Sequence, residues 1–273
     1  MQRYPTVLTI AGSDSGGGAG IQADLKTIAA LGAYGTSAIT ALTAQNTQGV
    51  RAIHAVPPEF LKQQLEAVFE DIEIDAVKIG MVNQIEVAYV IAEILDRFTP
   101  KFVVFDPVMV STSGSKLIQD ETVDVLWKTL FPIADLITPN LDEAQILIGR
   151  KIDSVEKMKE AAEEMIIKGC NGVLLKGGHL IGPALFDVFA QKGKETLILE
   201  TSYIESGNVH GTGCTLSSAI AAFVAKGNSL VEAVLFAKTY VSHAIEAGKN
   251  IKTGQGSGPL NHSFLPLKME TLA

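Results

Sequence analysis

Short apolar runs alternate with stretches of helical periodicity along most of the chain. The runs TVLTIA, TSAITAL, AVKIGM, FVVFD, DLITP and GVLLKGG have the length and β-branched content of strands. They are separated by segments such as GIQADLKTIAAL, PEFLKQQLEAVFEDI and EVAYVIAEILDRF, whose apolar residues recur at helical spacing. The strand runs are apolar throughout instead of alternating, as expected when both faces of a sheet are covered. The pattern therefore predicts an α/β fold in which a mostly parallel central sheet lies between two layers of helices.

Two segments near the C-terminal end predict more specific elements. Apolar residues from Leu230 to Ile245 recur at helical spacing, Ser229 and Glu232 form the pattern of a capping box, and Gly248 marks the helix end. The stretch ALFDVFAQKGKETLILET predicts a hairpin at a sheet edge, with its turn at Lys192 and Gly193. There is no linker, fixed-period repeat or low-complexity stretch, so we expect residues 1–273 to form a single domain.

Composition and charge exclude several classes of protein. A hydrophobic content of 47% in 273 residues suffices for a large core. The net charge of −8 argues against nucleic acid as a partner. Apolar runs reach only about seven residues, which predicts no membrane helix. The N-terminal stretch lacks a secretory signal pattern, and the two cysteines have neither disulfide-framework nor zinc spacing, so we expect a cytoplasmic protein with reduced cysteines.

Glycines and polar residues gather after the predicted strands, where open parallel sheets bind ligands. The first strand leads into GSDSGGGAG, which contains Gly12 and fits neither the P-loop nor the GxGxxG pattern. This segment is either a turn for close packing or a loop that brings backbone amides, including that of Gly12, to a small ligand. The stretch HGTGC opens an apolar helical segment, and a helix N-terminus with free N–H groups attracts anions, which predicts a phosphate site.

Other candidates have competing structural explanations. Asp106 after FVVF is a turn former or a metal and phosphate residue. Asn140 and Glu143 in TPNLDEA have the spacing of a helix capping box, which requires no further function. Asp24 lies early in a helix, where the dipole alone favours a carboxylate. Gln45 offers the donor and acceptor that the edge of a heterocycle requires.

Taken in order, seven segments resemble the hydroxymethylpyrimidine and phosphomethylpyrimidine kinases of thiamine biosynthesis, members of the ribokinase-like superfamily. The segments are GSDSGGGAGIQADLKT, TALTAQNTQGV, KIGM, DPVMV, TPNLDEA, LKGGH and HGTGCTLSSA. The resemblance implies a three-layer ribokinase-like fold with a small antiparallel edge, and ATP and Mg²⁺ as cofactors. It implies that the substrates are a hydroxymethylpyrimidine and its phosphate, and that the enzyme is a homodimer.

The resemblance also assigns roles to residues. Asp24, Gln45, Met81 and Val108 match residues that bind the aminopyrimidine. Gly211, Thr212 and Gly213 match an anion hole beneath the transferred phosphoryl group, and Lys176 matches a residue that faces the nucleotide phosphates. Asp106, Asn140 and Glu143 match residues around Mg²⁺, and we expect Asn140 and Gly213 also to contact the nucleotide.

Cys214 stands where many ribokinase-like enzymes carry an aspartate base. A helix N-terminus lowers the pKa of a thiol, so we expect a partly ionised cysteine near neutral pH. A phosphate monoester is already ionised at pH 7, so an ionised aspartate would repel it. A cysteine that is neutral or nearly so would let one site accept first an alcohol and then a phosphate. The alternative is that Cys214 is a small residue that packs the helix start.

Three other functions compete with this interpretation. A pyridoxal kinase is the nearest, and the TAQNTQG stretch and Ser111, where pyridoxal-directed relatives tend to have cysteine, argue against it. A ligand sensor without catalysis is disfavoured because the chain retains the candidate catalytic residues Asp106, Asn140, Glu143 and Lys176 and an intact GTG sequence. A dinucleotide oxidoreductase is disfavoured because the phosphate fingerprint after the first strand is missing.

Overall fold

The computed structural model describes residues 2–82, 84–109, 120–178 and 184–272. The strands within these ranges are β1 (Thr6–Asp14), β2 (Tyr34–Asn46), β3 (Gly49–Ala55), β4 (Ala76–Ile79), β5 (Val103–Phe105), β6 (Leu136–Ile137), β7 (Gly172–Leu175), β8 (Ala184–Gln191) and β9 (Leu197–Ser202). The helices are α1 (Gly20–Ala30), α2 (Pro58–Phe69), α3 (Ile85–Phe98), α4 (Asp120–Thr129), α5 (Leu141–Ile148), α6 (Val155–Ile167), α7 (Thr212–Ala225) and α8 (Leu230–Gly248).

The described strands form one nine-stranded sheet with the order β3-β2-β1-β4-β5-β6-β7-β8-β9. Neighbours from β2 through β7 pair in parallel, whereas β3 is antiparallel to β2, β8 to β7 and β9 to β8. The short central strands β4 to β7 are buried at every residue, since helices cover both of their faces. The predicted mostly parallel α/β sheet with a small antiparallel part is therefore confirmed.

Two hydrophobic clusters lie on opposite faces of the sheet. One unites the inner sides of α2, α3, α4, α5 and α6, with Leu61, Ile91 and Met158 among its buried members. The other unites α1, α7 and α8, with Ile28 and Ile220 at its centre. The helices thus form the two outer layers that the sequence pattern predicts. Within the described part of the chain, no helix has both the length and the apolar character needed to cross a membrane.

The local predictions near the C-terminal end are confirmed. Helix α8 begins with a capping box between Ser229 and Glu232 and ends at Gly248. Strands β8 and β9 form the predicted hairpin, and Gly193 adopts the left-handed conformation in its turn, with a φ of 75°.

Strand β3 is an element that the sequence pattern does not predict. The predicted strand TSAITAL ends before the stretch TAQNTQG, but the first four residues of that stretch also belong to β2, and the chain turns directly into β3. Val50 and Ile53 are exposed on this edge strand. The sequence of β3 therefore lacks the apolar pattern that marks a buried strand. Gln45 consequently lies on a β-hairpin, paired with Val50.

The carboxyl ends of the parallel strands meet at one edge of the sheet. Strand β5 ends just before Asp106, β7 ends just before Lys176, and β4 ends two residues before Met81. An isolated parallel bridge joins Asn140, after β6, to Lys176. These four predicted site residues are thereby brought from distant parts of the sequence to one place.

Candidate active site

A cavity of about 890 Å³ opens at this edge of the sheet. The predicted residues that line it are Gly12, Gln45, Met81, Asp106, Val108, Asn140, Glu143, Lys176, Gly211, Gly213 and Cys214. Asp24 and Thr212 are the predicted residues outside this lining. The candidate heterocycle contacts and the candidate phosphate contacts therefore share one chamber.

The head of α7 supplies the candidate phosphate site. Gly211 is the N-cap and has a φ of 86°, and a Cβ at this position would overlap the carbonyl oxygen of Gly18. A Cβ at Gly213 would lie 3.3 Å from Asp106 Oδ2 and 3.4 Å from Lys176 Nζ. By helix geometry, the amides of Gly213 and Cys214 have no acceptor within α7. The glycines thus bring a turn with free amides close to Asp106 and Lys176, which form the charged floor of the cavity.

Thr212 does not join its neighbours in the cavity. Its side-chain hydroxyl donates to the carbonyl oxygen of Val209 at 2.7 Å, and its amide donates to the same oxygen at 3.2 Å. Both donors of Thr212 hold the turn before α7, and its phosphate contact stays a prediction.

Asp24 lies outside the cavity lining, which corrects its expected contact with the heterocycle. Its carboxylate is fully buried and accepts hydrogen bonds from Thr9 Oγ1 at 2.6 Å and Ser218 Oγ at 2.7 Å. Lys78 Nζ lies 2.8 and 2.9 Å from the two carboxylate oxygens. Asp24 thus lies beneath the cavity, and direct contact with the heterocycle is replaced by an ion pair with Lys78.

Lys78 lines the cavity but was not among the predicted site residues. Burial has the largest single effect and acts to lower the pKa of this lysine, but its neighbours, led by the Asp24 carboxylate and joined by Asp106, together outweigh burial. The pKa is therefore raised, and the ammonium stays charged. Its sequence signal is a single lysine in the otherwise apolar strand AVKI. A fully buried lysine needs a charged partner, which that strand cannot supply.

Asp106 and Lys176 form an ion pair at the cavity floor. Lys176 Nζ lies 2.9 Å from Asp106 Oδ1, which also accepts from Thr138 Oγ1 at 2.9 Å. Burial raises the pKa of Asp106, but Lys176 and Lys78 outweigh it and hold the pKa below its usual value. The same pairing raises the pKa of Lys176 against the effect of burial. Both groups are therefore charged at neutral pH.

Asn140 and Glu143 form the capping box that their spacing allows. Asn140 Oδ1 accepts from the Glu143 amide at 2.9 Å, and Glu143 Oε2 accepts from the Asn140 amide at 2.8 Å. The amide of Met109 lies 3.4 Å from the other oxygen of Glu143. Burial, with the charge of Asp106, raises the pKa of Glu143 to about 7 even though Lys176 opposes the rise. The structural role of this pair is thus confirmed, and any ligand role comes in addition to it.

The oxygens of Asp106, Asn140 and Glu143 lie at one end of the cavity. Among the described residues, no group of three or more His, Cys, Asp or Glu side chains forms a metal cage. Magnesium in phosphotransfer sites is held by one or two carboxylates together with substrate phosphates and water. The carboxylate and amide oxygens of these residues fit an ion of this kind, which would arrive with a nucleotide.

Cys214 is half-buried in the first turn of α7. Burial raises the pKa of its thiol to about 11, and the charges of Asp24 and Asp106 add to this rise, whereas Lys78 opposes it. The expectation of a thiol partly ionised near neutral pH is therefore wrong. Desolvation outweighs the favourable position at a helix N-terminus.

Asp14 and His210 were not predicted as site residues, yet both line the cavity. The Asp14 carboxylate accepts from the amides of Gly16, Gly18 and Ala19 at 2.8 to 3.1 Å, and lies 3.0 Å from His210 Nε2. Burial alone would raise the pKa of Asp14, but the bonds from His210 and these amides lower it to about 2. The aspartate therefore organises the glycine-rich loop and ties it to the head of α7.

Comparison with known proteins matches residues 14–261 to the phosphomethylpyrimidine kinase family. The hydroxymethylpyrimidine/phosphomethylpyrimidine kinase of Rhizobium meliloti is 52% identical over 256 residues, which cover 93% of this chain and 96% of that protein. The thiamine biosynthesis bifunctional protein ThiED of Geobacter sulfurreducens is 50% identical over 257 residues. That match covers 94% of this chain and 52% of ThiED, so the chain spans about half the length of this relative.

The fold also has counterparts among solved structures. An ADP complex of Bacillus subtilis pyridoxal kinase is 35% identical and has a TM-score of 0.89, with 96% of this chain and 98% of that chain covered. The predicted three-layer ribokinase-like architecture is confirmed by this likeness.

Proposed function

Because the chain belongs to the phosphomethylpyrimidine kinase family, we propose that it phosphorylates 4-amino-5-hydroxymethyl-2-methylpyrimidine and then the resulting monophosphate, with ATP as donor. The observation that supports this most directly is the shared cavity. Gln45, Met81 and Val108 line the chamber that also contains Gly213 and Lys176. A polar heterocycle and a phosphoryl group could therefore be held side by side.

The charged floor and the head of α7 would stabilise the transferring group. The amides of Gly213 and Cys214 would donate to the phosphoryl oxygens, and the charged Lys176 would offset their negative charge. Phosphoryl transfer through a loose transition state asks the protein mainly for positioning and charge stabilisation. The three groups supply these without a strong base.

Asp106, Asn140 and Glu143 would hold Mg²⁺, directly or through water, and Asn140 would also contact the nucleotide. When bound, the metal would neutralise charge on the nucleotide phosphates. Burial raises the pKa of Glu143 to about 7, and a bound cation would lower it again, so the carboxyl would release its proton when the metal binds.

Cys214 would act as a neutral group beside the acceptor. With a pKa of about 11, its thiol is protonated at neutral pH and cannot serve as a ready base. A neutral side chain tolerates both an alcohol and a phosphate dianion, which is what two successive phosphorylations in one site require. The role proposed for Cys214 is thus to avoid repulsion.

The test is a product assay with ATP and Mg²⁺ and, in separate reactions, hydroxymethylpyrimidine, pyridoxal or pyridoxine. Monophosphate and diphosphate are separated by anion-exchange chromatography. We expect both pyrimidine products, with the monophosphate appearing first. Phosphorylation of pyridoxal alone would reject the proposal in favour of a pyridoxal kinase.

Pyridoxal kinase remains the second candidate because of the structural likeness to that enzyme. Ser111, one of the two features that argue against it, lies outside the described residues. The other feature, the TAQNTQG stretch, places Gln45 in the cavity. The homodimer and the cytoplasmic location stay predictions.

A further inference from the structure

Three side chains meet between the glycine-rich loop, the β2–β3 hairpin and the head of α7. His210 Nε2 lies 3.0 Å from Asp14 Oδ2 and 3.3 Å from Gln45 Nε2. The side chains of His210 and Asp14 are 16% and 4% exposed. Their hydrogen bonds are therefore largely shielded from water and must be satisfied within the cluster.

The proton on His210 is determined by its acidic neighbour. Asp14 is ionised over the whole physiological range, since its pKa is about 2. A carboxylate only accepts hydrogen bonds, so the Nε2 atom that faces it must carry a proton. This single N–H is shared, because Asp14 accepts it at 3.0 Å and the Gln45 amide lies 3.3 Å from the same nitrogen. The Gln45 atom that faces it must therefore be an acceptor and not a second donor.

Thr43 constrains the other side of that amide. Thr43 Oγ1 lies 2.9 Å from the carbonyl oxygen of Ser13 and 3.2 Å from Gln45 Oε1. A hydroxyl has one proton, and the Ser13 carbonyl can only accept it. Thr43 therefore presents a lone pair to Gln45, and the Gln45 amide atom beside it should be the donor nitrogen.

Both neighbours demand the same orientation of the Gln45 amide. A half-turn of the amide exchanges its oxygen and nitrogen and removes the opposition of two N–H groups at His210 and of two lone pairs at Thr43. We infer that Gln45 Oε1 accepts from His210 while Gln45 Nε2 donates to Thr43, and that Asp14 and His210 are positioning residues that fix this polarity. The inference rests on the proposed function, in which Gln45 contacts the heterocycle.

The fixed amide leaves one N–H and one oxygen lone pair for the ligand. These complement a ring nitrogen acceptor beside an exocyclic amino donor, the edge of a 4-aminopyrimidine. A 4-oxopyrimidine presents the reverse pattern, a ring N–H beside a carbonyl oxygen. An amide free to turn would accept either edge, whereas a fixed amide leaves unpaired groups against the wrong one. The cluster thus specifies the amino compound over its oxo analogue.

The experiment compares binding of the 4-amino and 4-oxo pyrimidines by calorimetry, without nucleotide. We expect the wild-type protein to prefer the amino compound by roughly 100-fold. His210→Leu removes the donor and should narrow this ratio about tenfold, while His210→Gln, which keeps an N–H at similar reach, should preserve it. Thr43→Val removes the hydroxyl beside the other end of the Gln45 amide and should also narrow the ratio. Thr43→Ser keeps a hydroxyl there and serves as the control.

The outcomes separate this inference from the proposed function. Wild-type protein that neither binds nor phosphorylates the aminopyrimidine would reject the proposed function. A wild-type preference that survives in both His210→Leu and Thr43→Val, or equal loss of both ligands in these variants, would reject the positioning role alone. If His210→Leu unfolds below the assay temperature, the amino-over-oxo binding ratios of His210→Gln and Thr43→Val decide instead. A Thr43→Val protein with the wild-type ratio would then overturn the inference.

Discussion

Cys214 is subject to opposing influences on its thiol. The helix N-terminus and Lys78 favour the thiolate, whereas burial and the carboxylates of Asp24 and Asp106 favour the neutral form. Burial has the largest effect, so the pKa rises to about 11 and the thiol is neutral at pH 7.

Alkylation tests this pKa directly. The chain has two cysteines, and Cys170 is fully buried with a pKa raised to about 12, so iodoacetamide should modify Cys214 selectively. We expect the modification rate to rise about tenfold per pH unit from pH 7 to pH 9, because the thiolate fraction rises in that proportion. Mass spectrometry locates the adduct, and Cys214→Ser is the control. A rate that levels off below pH 9 would contradict the raised pKa.

Cys214→Asp tests why a neutral residue occupies this position. A fixed carboxylate would repel the phosphate dianion of the second acceptor but not the alcohol of the first. We expect the second phosphorylation to slow by at least about tenfold relative to the first. The two steps are measured separately from the alcohol and from the monophosphate, and Cys214→Ser, which stays neutral, serves as the control. Equal slowing of both steps would show that charge at this position does not distinguish the acceptors.

Among the elements that line the cavity, α7 has a first turn that approaches two other segments closely. Gly211 meets Gly18 of the glycine-rich loop, and Gly213 meets the Asp106 and Lys176 pair. The approach depends on missing side chains. The helix therefore brings its amides to the cavity only while both positions lack a Cβ.

Gly213→Ala should lower kcat without unfolding the protein. The added methyl would lie 3.3 Å from Asp106 Oδ2, tight enough to displace the pair or the phosphoryl group. The loss of transition-state stabilisation should be about 2 to 4 kcal/mol. Gly207→Ala is the matched control, since a Cβ there meets no atom within 4 Å among the described residues. Wild-type turnover in a folded Gly213→Ala protein would contradict the anion-hole proposal.

The buried pair of Asp24 and Lys78 joins four elements, because Thr9 of β1 and Ser218 of α7 also bond to the carboxylate. Lys78→Met would leave Asp24 charged and unpaired, which should cost about 3 to 5 kcal/mol of unfolding free energy. The double variant Asp24→Leu with Lys78→Met should recover at least half of that loss. Urea unfolding compares them, and a double variant no more stable than the single one would contradict the pairing.

At the scale of the whole molecule, the C-terminal segment holds α7 and α8 together. Tyr240 of α8 donates its hydroxyl proton to the carbonyl oxygen of His262 at 2.6 Å, and the His262 ring lies 3.0 Å from Thr215 Oγ1 of α7. His262 is 4% exposed. Burial, aided by the charge of Lys26, lowers the pKa of this histidine to about 4.

This histidine makes stability depend on pH. Because its folded pKa is lowered, its contribution is present above the unfolded pKa of about 6.5 and is lost as the pH falls through about 4. The unfolding free energy of the wild type should fall between pH 7 and pH 4 by about 3 kcal/mol more than that of His262→Gln, which cannot titrate. Urea unfolding at both pH values measures the difference, and parallel curves for the two proteins would contradict it.

Features set by neighbouring residues could be predicted from the sequence alone. The capping boxes of α5 and α8 and the hairpin of β8 and β9 depend on residues a few positions apart, and their patterns were sufficient. The parallel sheet followed from apolar runs alternating with helices. Strand ends then indicated the cavity, because all parallel strands end at one edge of the sheet.

What tertiary structure alone decided is the state of each polar group. Asp24 and Lys78 are 54 positions apart, and Asp14 and His210 are 196 apart, so no local pattern relates them. The pKa of Cys214 depends on desolvation and on charges from several elements, which outweigh its place at a helix start. Burial and long-range charge act through space. The sequence pattern determined the α/β fold and the edge of the sheet where the cavity lies. The packing of distant elements determined which side chains are ionised, which are paired and which face the cavity.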